Sequence, residues 1–524
     1  MATPIPKNRI ARTSSAIAAA TGGTLVRGDG ARAHTSITTD SREVAQGGMF
    51  LALRGENFDG HAFVAAAARA GATLLIVERA ARVLESAEAA AIADADVVEV
   101  DDTLVAWGAL ARDHLQRWRA ATSGKLVAIT GSAGKTTTKA LLAALLGEMG
   151  ETLATVGNLN NRIGVPATLF CVEPHHRFVA LEVGTSVPGE IAALGAISAP
   201  DAAILTNVGL AHAEHLGGTR ADVGREKGAL YAALPEDGCA VVNLDDDEVL
   251  RQASRSRART TVHFGRAEGA GYRLLQRRRP TETGARLVFT RPAGEHLELD
   301  FPLAGEAAAI DFLAALAAAE FLAGRPLEPD VLARALGKLA PVAGRAQIHL
   351  LPSGTTVIDD SYNANPSSMM AALDLASELA RPAATARSGP ARRRIVAVLG
   401  EMRELGSASY EAHAELGDHL ARVRVDLAIG CGGAIDLTLA RASQAGVVVL
   451  PGANTDEALA LARAHIEVGD VVLVKGSRGV RTERVVAGLL AGGDAKASKK
   501  PEKPEKPEKP EKQEKAAKAE KKTP

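Results

Sequence analysis

Aromatic side chains are scarce: Phe, Tyr and Trp together make up 3% of 524 residues, with two Trp and four Tyr. So few rings leave little for the stacking platforms that hold single-stranded nucleic acids. Cysteine is scarcer still. The three, Cys171, Cys239 and Cys431, are far apart and odd in number. That excludes a disulfide frame or a cysteine zinc cluster and points to reduced thiols and a cytoplasmic location. No apolar run reaches the roughly 18 residues of a spanning helix, so no membrane span is expected. The opening MATPIPKNRIARTSSAIAAATGG lacks a Leu-, Ile- or Val-rich stretch, and no secretory signal is expected from it.

Net charge is also nearly missing, at −1 from 61 Lys+Arg and 62 Asp+Glu. This value averages two unlike parts. Residues 496–524 hold 11 Lys and 6 Glu, a net of +5, and taking that +5 from −1 leaves −6 for residues 1–495. A mildly acidic body gives no general case for nucleic-acid binding. The end of the chain, PEKPEKPEKPEKQEKAAKAEKKTP, opens with Pro at every third position and has nothing apolar to bury beyond three alanines, which predicts a disordered, solvated tail over 494–524.

What is there is ordinary globular composition, 46% hydrophobic and 23% charged, at a length that suits about three domains. Residues 1–103 mix short strands (ITTDSREV, GMFLAL, TLLIVE) with an Ala-rich helix, HAFVAAAARAGA, ending at Gly71, and predict a small α/β domain. Residues 104–122 have helical spacing and lead into a second unit, 104–339. There the apolar strands KLVAIT, FVALEVG, AAILTNVG and CAVVNLDD alternate with helices, which predicts a parallel sheet covered on both faces. Within it Gly265–Leu303 reads as a β-rich insertion, followed by the helix AAAIDFLAALAAAEFLAG. The third unit, 340–493, repeats the alternation with TTVIDD, RRIVAVLG, DLAIGCGG, VVVLPG and DVVLVKG, interrupted by a Pro/Ser/Arg-rich loop, RPAATARSGPARRR. The fold class is therefore α/β in three domains: a small first domain, a central parallel sheet and a C-terminal doubly wound, Rossmann-like sheet.

The strongest chemical signal opens the central unit. After the strand KLVAI comes Thr130-Gly131-Ser132-Ala133-Gly134-Lys135-Thr136-Thr137, then a helix. Loop N–H groups at a helix N-terminus wrap phosphate oxygens, Lys135 would reach the β/γ-phosphates, and the Thr136 hydroxyl would ligate Mg²⁺. Ile129 replaces the first glycine of the longer P-loop pattern, leaving the short T-G-x-x-G-K-T form. ATP is the expected nucleotide. Glu182 and His212 follow parallel strands, at the end where open α/β sheets bind ligands. On its own His212 reads as a loop or packing histidine and Lys227 as a solvated helix lysine. The amides of Gly157-Asn158-Leu159-Asn160-Asn161 read either as a turn or as partners for a peptide-like substrate. In the third unit Asp359-Asp360-Ser361-Tyr362-Asn363-Ala364-Asn365-Pro366 crowds a strand end, with Arg345 upstream and Lys475-Gly476-Ser477-Arg478 after another strand.

Together these stretches resemble the Mur ligase superfamily of ATP-dependent amide-bond-forming enzymes, over about residues 10–492. Its marks here are TDSRE (39–43), FLALRGENFDGHAF (50–63), TGSAGKTTTK (130–139), GNLNNRIGVP (157–166), EVGTSVPGEI (182–191), NVGLAHAEHLGG (207–218), EKGAL (226–230), NLDDD (243–247), DDSYNANPSSMMAAL (359–373), LGEMRELG (399–406) and KGSRG (475–479). SYNANP looks like the branch that adds D-alanyl-D-alanine to UDP-N-acetylmuramoyl-tripeptide.

The resemblance implies ATP binding by Gly131, Ser132, Ala133, Gly134, Lys135, Thr136 and Thr137, with Asn243 at the adenine and Arg345, Asp360 and Asn363 closing from the third domain. It implies two Mg²⁺ ions held with Thr136, Glu182, His212 and a carbamylated Lys227. Lys135, Lys227 and His212 would serve catalysis. Asn160 and Asn161 would meet the UDP-sugar-peptide, and Ser41 and Arg42 the uridine nucleotide. Partners would be these two substrates alone, on a monomer. Departures stand at Ser186-Val187, in Gly305-Glu306-Ala307-Ala308 and at Asp311, where the family often has Asn-His, Gly-x-His-Asn and Asn. A sister ligase, such as one adding glutamate to a folate, and a P-loop ATPase switch remain the rival readings.

Overall fold

The computed structural model describes residues 3–55, 58–86, 88–381 and 392–496. Most of the loop RPAATARSGPARRR and all of the Lys/Glu/Pro stretch after Lys496 lie outside them.

Three large sheets organise the chain. The first has five strands in the order Thr24–Arg27, Asp96–Glu99, Leu74–Val77, Met49–Leu51, Ile37–Thr38. All are parallel except the outer Thr24–Arg27. Leu74 to Val77 are all buried, as a strand covered on both faces must be. ITTDSREV is a strand only at Ile37–Thr38, because Asp40 then accepts from the Arg42 N–H at 3.0 Å and turns the chain.

The helix Thr103–Thr122 joins this unit to the next. The Asp102 carboxylate caps it, accepting from Leu104 N at 2.7 Å and Val105 N at 2.9 Å. Trp107, Leu110, Leu115 and Trp118 share one core with Ile10 and Ile17 before it and Leu126 and Val165 after it. The helix ends at Ser123 (φ 56°), and Gly124 follows because a Cβ there would overlap the Trp118 ring.

The central sheet has nine strands, in the order Thr152–Ala154, Phe178–Glu182, Lys125–Thr130, Ala202–Leu205, Cys239–Asn243, Thr260–Gly265, Tyr272–Thr281, Gly284–Thr290, His296–Phe301. Pairing is parallel as far as Tyr272–Thr281 and antiparallel beyond. The expected insertion at 265–303 is thus the far edge of the same sheet. Its last strand alternates exposed and buried residues from His296 to Phe301, the mark of one covered and one open face. Helix Glu306–Ala323 crosses the sheet beside the P-loop helix Lys135–Gly147, with Ala309, Ala314, Ala315 and Ala317 to Ala319 buried in their common core.

The third sheet runs Gln347–Leu350, Thr356–Asp360, Val471–Lys475, Ile395–Leu399, Leu427–Gly430, Val448–Leu450. It is parallel except for Gln347–Leu350, an edge strand too short and too mixed in character to show in the residue pattern. The final helix, Glu483–Lys496, overruns the expected boundary at 493. Asp494-Ala495-Lys496 contains no helix breaker, and the first proline comes only at 501. No helix among the described residues is long and apolar enough to cross a membrane.

Candidate active site

The P-loop strand lies between Phe178–Glu182 and Ala202–Leu205, so the loops after three parallel strands meet at one edge. Gly131 (φ 150°) and Gly134 (φ 82°) hold backbone conformations closed to other residues. A Cβ on Gly131 would overlap Thr206 Oγ1, and one on Gly134 would overlap the Asp311 carboxylate. The loop is braced from the next strand's end. Ser132 Oγ accepts from Gly209 N at 2.8 Å and donates to its carbonyl at 3.0 Å, and Ala133 N donates to Asn207 Oδ1 at 2.9 Å.

Lys135 Nζ donates back to the Gly131 carbonyl at 2.7 Å, folded over the loop it would share with phosphates. Burial lowers its pKa, with Glu182 opposing the shift. Thr136 Oγ1 donates to Glu182 Oε2 at 3.1 Å, and Asn160 Nδ2 donates to Glu182 Oε1 at 2.9 Å. Lys139 Nζ lies 3.8 Å from the same carboxylate. Glu182 is only 2% exposed, so this ring of donors is what keeps a carboxylate tolerable there.

Lys227 projects from helix Arg220–Ala232 and is 1% exposed. Its neighbour Glu226 accepts from the N–H groups of Gly189 and Ile191, tying down the start of the earlier helix Glu190–Ser198. Lys227 Nζ makes no hydrogen bond or ion pair among the described residues. Burial holds its pKa well below the usual lysine range and the Lys135 charge adds to this, against a smaller pull from Glu226.

The third domain faces this edge with its own strand ends. Arg345 Nη2 lies 3.5 Å from Thr136 Oγ1 and stacks 4.2 Å over the Tyr362 ring. Lys475 Nζ donates to Asp360 Oδ2 at 2.5 Å and to the Asn363 carbonyl at 2.9 Å. Asn363 Oδ1 accepts from Arg478 N at 3.3 Å. Asn365 is both cap and clasp. Its Oδ1 accepts from Ser368 N at 3.0 Å, starting helix Pro366–Leu379, while its Nδ2 donates to the P-loop's Ser132 carbonyl at 3.0 Å. A cleft of about 1040 Å³ runs between the two domains, lined by Gly134, Thr137, Asn243, Asp311, Arg345 and Lys475.

The expected nucleotide and cation residues thus fall largely into one place. Asn243 lines the cleft floor and donates to the Thr206 carbonyl at 2.7 Å. His212 lies at the domain interface, its Nδ1 bonded to Glu404. Asn161 turns elsewhere: its Oδ1 accepts from Gly164 N at 2.8 Å, capping a helix start. Arg42 points to solvent, its side chain 85% exposed and paired with Asp40, and lies with Ser41 on the first domain away from this cleft. Asn365 stands in the sequence only as one amide of a crowded strand end, and Lys139 and Glu404 only as members of matched stretches; each makes a contact at the site. Asp311, which stands out in the sequence only as a departure, packs on the P-loop. Burial holds its carboxyl well above the usual range, against a Thr138 hydrogen bond.

Thr136 and Glu182 are hard oxygen donors that suit Mg²⁺. Among the described residues no three His, Cys, Asp or Glu side chains form a cage of their own.

Three family models match the chain: the Mur ligase catalytic domain over residues 34–115, the Mur ligase middle domain over 129–319 and the Mur ligase glutamate ligase domain over 344–478. The UDP-N-acetylmuramoyl-tripeptide–D-alanyl-D-alanine ligase of Escherichia coli is 32% identical, over 87% of this chain and 94% of its own length. A crystal structure of MurF from Acinetobacter baumannii superposes with a TM-score of 0.78 at 29% identity, covering 92% of this chain and 100% of that one. MurF from Thermotoga maritima in complex with ADP gives 0.74 at 28% identity, covering 88% and 98%.

Proposed function

The chain belongs to the Mur ligase family, and from that premise we infer that it is the ATP-dependent ligase joining D-alanyl-D-alanine to UDP-N-acetylmuramoyl-tripeptide in peptidoglycan precursor synthesis. The observation that carries the chemistry is the set Lys135, Thr136 and Glu182 on one domain faced by Arg345, Asp360 and Lys475 on another.

The division of labour follows the three units: 1–103 for the uridine nucleotide, with Ser41 and Arg42; 104–339 for ATP; 340–493 to close over both. A carboxylate is a poor acyl donor because its leaving group would be oxide. The γ-phosphoryl group of ATP passes to the tripeptide's terminal carboxylate, releasing ADP and forming an acyl phosphate. The dipeptide amine attacks the acyl carbon and loses a proton, and the C–O bond to phosphate breaks, releasing inorganic phosphate with one former carboxylate oxygen.

In this scheme the loop N–H groups and Lys135 hold the β/γ-phosphates, and Arg345 neutralises charge from the opposite wall. Asn243 positions the base, and Asp360 and Asn363 fix Lys475 and the loop of Arg478. Asn160 steers Glu182. Asn161 shapes the segment facing the sugar-peptide. Thr136, Glu182, His212 and a carbamylated Lys227 would hold two Mg²⁺ ions, which supply charge neutralisation on the transferred phosphoryl group. A lysine must be neutral to react with CO₂, and the buried setting of Lys227 favours that form. Docking of the third domain excludes water, which would otherwise hydrolyse the acyl phosphate. We place the enzyme in the cytoplasm, acting as a monomer.

The direct test is phosphate release from the purified protein with each substrate omitted in turn. Release that needs ATP, UDP-N-acetylmuramoyl-tripeptide and D-alanyl-D-alanine together is the expected result. Release without the dipeptide, or with glutamate and a folate in place of these substrates, contradicts the reading.

A further inference from the structure

The contact between His212 and Glu404 joins two domains at the edge of the cleft. Both residues have left-handed backbone, φ 62° and φ 60°, which L side chains rarely adopt. His212 stands just before the helix Ala213–Leu216 of the ATP domain. Glu404 stands in the turn after strand Ile395–Leu399 of the third domain. The two are locked face to face in two ways. Glu404 Oε2 accepts the proton of His212 Nδ1, and the Glu404 carbonyl accepts from Glu214 N at 3.1 Å. The chains are so close that a Cβ on Gly406 would lie 3.2 Å from Glu214 Cα.

The turn that carries Glu404 is held rigidly by its own domain. Met402 N donates to His413 Nε2 at 3.1 Å, and Arg403 N donates to Ser477 Oγ at 2.9 Å. Ser477 follows Lys475, which grips Asp360. Glu404 is therefore aimed at His212 by the same framework that forms the third domain's wall of the cleft. A carboxylate cannot donate, so the proton of this bond sits on Nδ1. The ring's other nitrogen, Nε2, then bears a lone pair and makes no hydrogen bond among the described residues. A carboxylate behind a ligand imidazole in this manner fixes its tautomer and orientation and makes it a better donor to a cation.

We propose that Glu404 is a positioning residue which, across the domain interface, holds His212 in the form that binds a divalent cation, so that the cation site is complete only when the third domain is docked. This rests on the reading of His212 as a cation ligand. The LGEMRELG turn thereby reports closure to the cation before phosphoryl transfer.

The test uses the full-length protein with Mn²⁺ as the probe, saturated with the non-hydrolysable analogue β,γ-methylene-ATP. Two quantities are read: Mn²⁺ affinity by titration, and nitrogen modulation in the Mn²⁺ electron spin-echo signal. Wild type should show imidazole nitrogen at the ion, and His212→Ala should lose it. Glu404→Ala should weaken Mn²⁺ binding roughly tenfold and diminish the nitrogen signal. Glu404→Gln, whose carboxamide oxygen can still accept from Nδ1, should recover most of both while unfolding at the wild-type temperature. Wild-type affinity and nitrogen signal in Glu404→Ala overturn the proposal while leaving His212 as a ligand. Absence of nitrogen modulation in wild type removes the ligand reading and the proposal with it.

Discussion

Lys227 shows how a residue's environment can reverse its ordinary meaning. In its helix it has the look of any solvated lysine, yet it is 1% exposed and the strongest charge acting on it is that of another lysine. Such a lysine holds its proton less tightly in the fold than in the unfolded chain, so the unfolded state binds more protons and stability rises with pH until the ordinary lysine value is reached. Lys227→Met should therefore raise the melting temperature, more at pH 7 than at pH 10, in thermal scans at the two pH values. The same change should abolish ligase turnover. Lys227→Ala should be nearly inactive but partly restored by short carboxylates such as acetate, measured as phosphate release. A solvated lysine would show neither effect. Asp311 is visible in the sequence only as an oddity, because what makes it matter is the approach of a helix from elsewhere to Gly134.

At the level of single elements, the P-loop strand, turn and helix are readable because all their interactions are local. The glycines, the apolar strand and the helix lie within about twenty residues and punctuate one another. Gly134→Ala would force a side chain into left-handed backbone and into Asp311, and should cost about 2 kcal/mol of stability together with ATP binding, checked by urea unfolding and nucleotide titration. The start of helix Pro366–Leu379 is half readable. Asn-Pro announces a cap and a first turn, and Asn365 fills that role. Its second bond, to the P-loop carbonyl at 3.0 Å, joins residues too distant in the chain for any pattern to pair. Asn365→Ala should lose about 1 kcal/mol from the cap alone. Because the clasp goes too, it should also raise the KM for ATP, whereas Asn365→Asp should keep the cap and lose only the clasp. The antiparallel reversal after Tyr272 escapes the sequence for a different reason: strand direction is set by partners, which the residue pattern does not name.

Across the whole molecule, the first and middle units share one core through helix Thr103–Thr122, while the third has a core of its own, against which Leu210 and Ala304 of the middle unit pack, and is joined further by polar contacts. Arg277 on the central sheet pairs with Glu378 of the third domain at 2.8 Å, their side chains 7% and 20% exposed. Arg393 of the third domain pairs with Glu282 at 2.9 Å. Polar joints of this kind suit a domain that must dock and release, as product exit requires. Glu378→Ala strands a largely buried guanidinium and should cost about 2 kcal/mol of docking energy. Small-angle scattering should then show a larger radius of gyration, and turnover should require more ATP. The three units and most of the residues at their facing edges are legible in the sequence, since strand ends advertise themselves. The joints between the units, Arg277 with Glu378 or His212 with Glu404, are not, because each half is an unremarkable polar residue until the domains meet. Phosphorylation of a carboxylate at these facing edges, before an amine attacks it, is tested most directly with UDP-N-acetylmuramoyl-tripeptide carrying ¹⁸O in its terminal carboxylate. One ¹⁸O atom is expected in each phosphate released during D-alanyl-D-alanine ligation, and phosphate free of ¹⁸O would contradict an acyl-phosphate route.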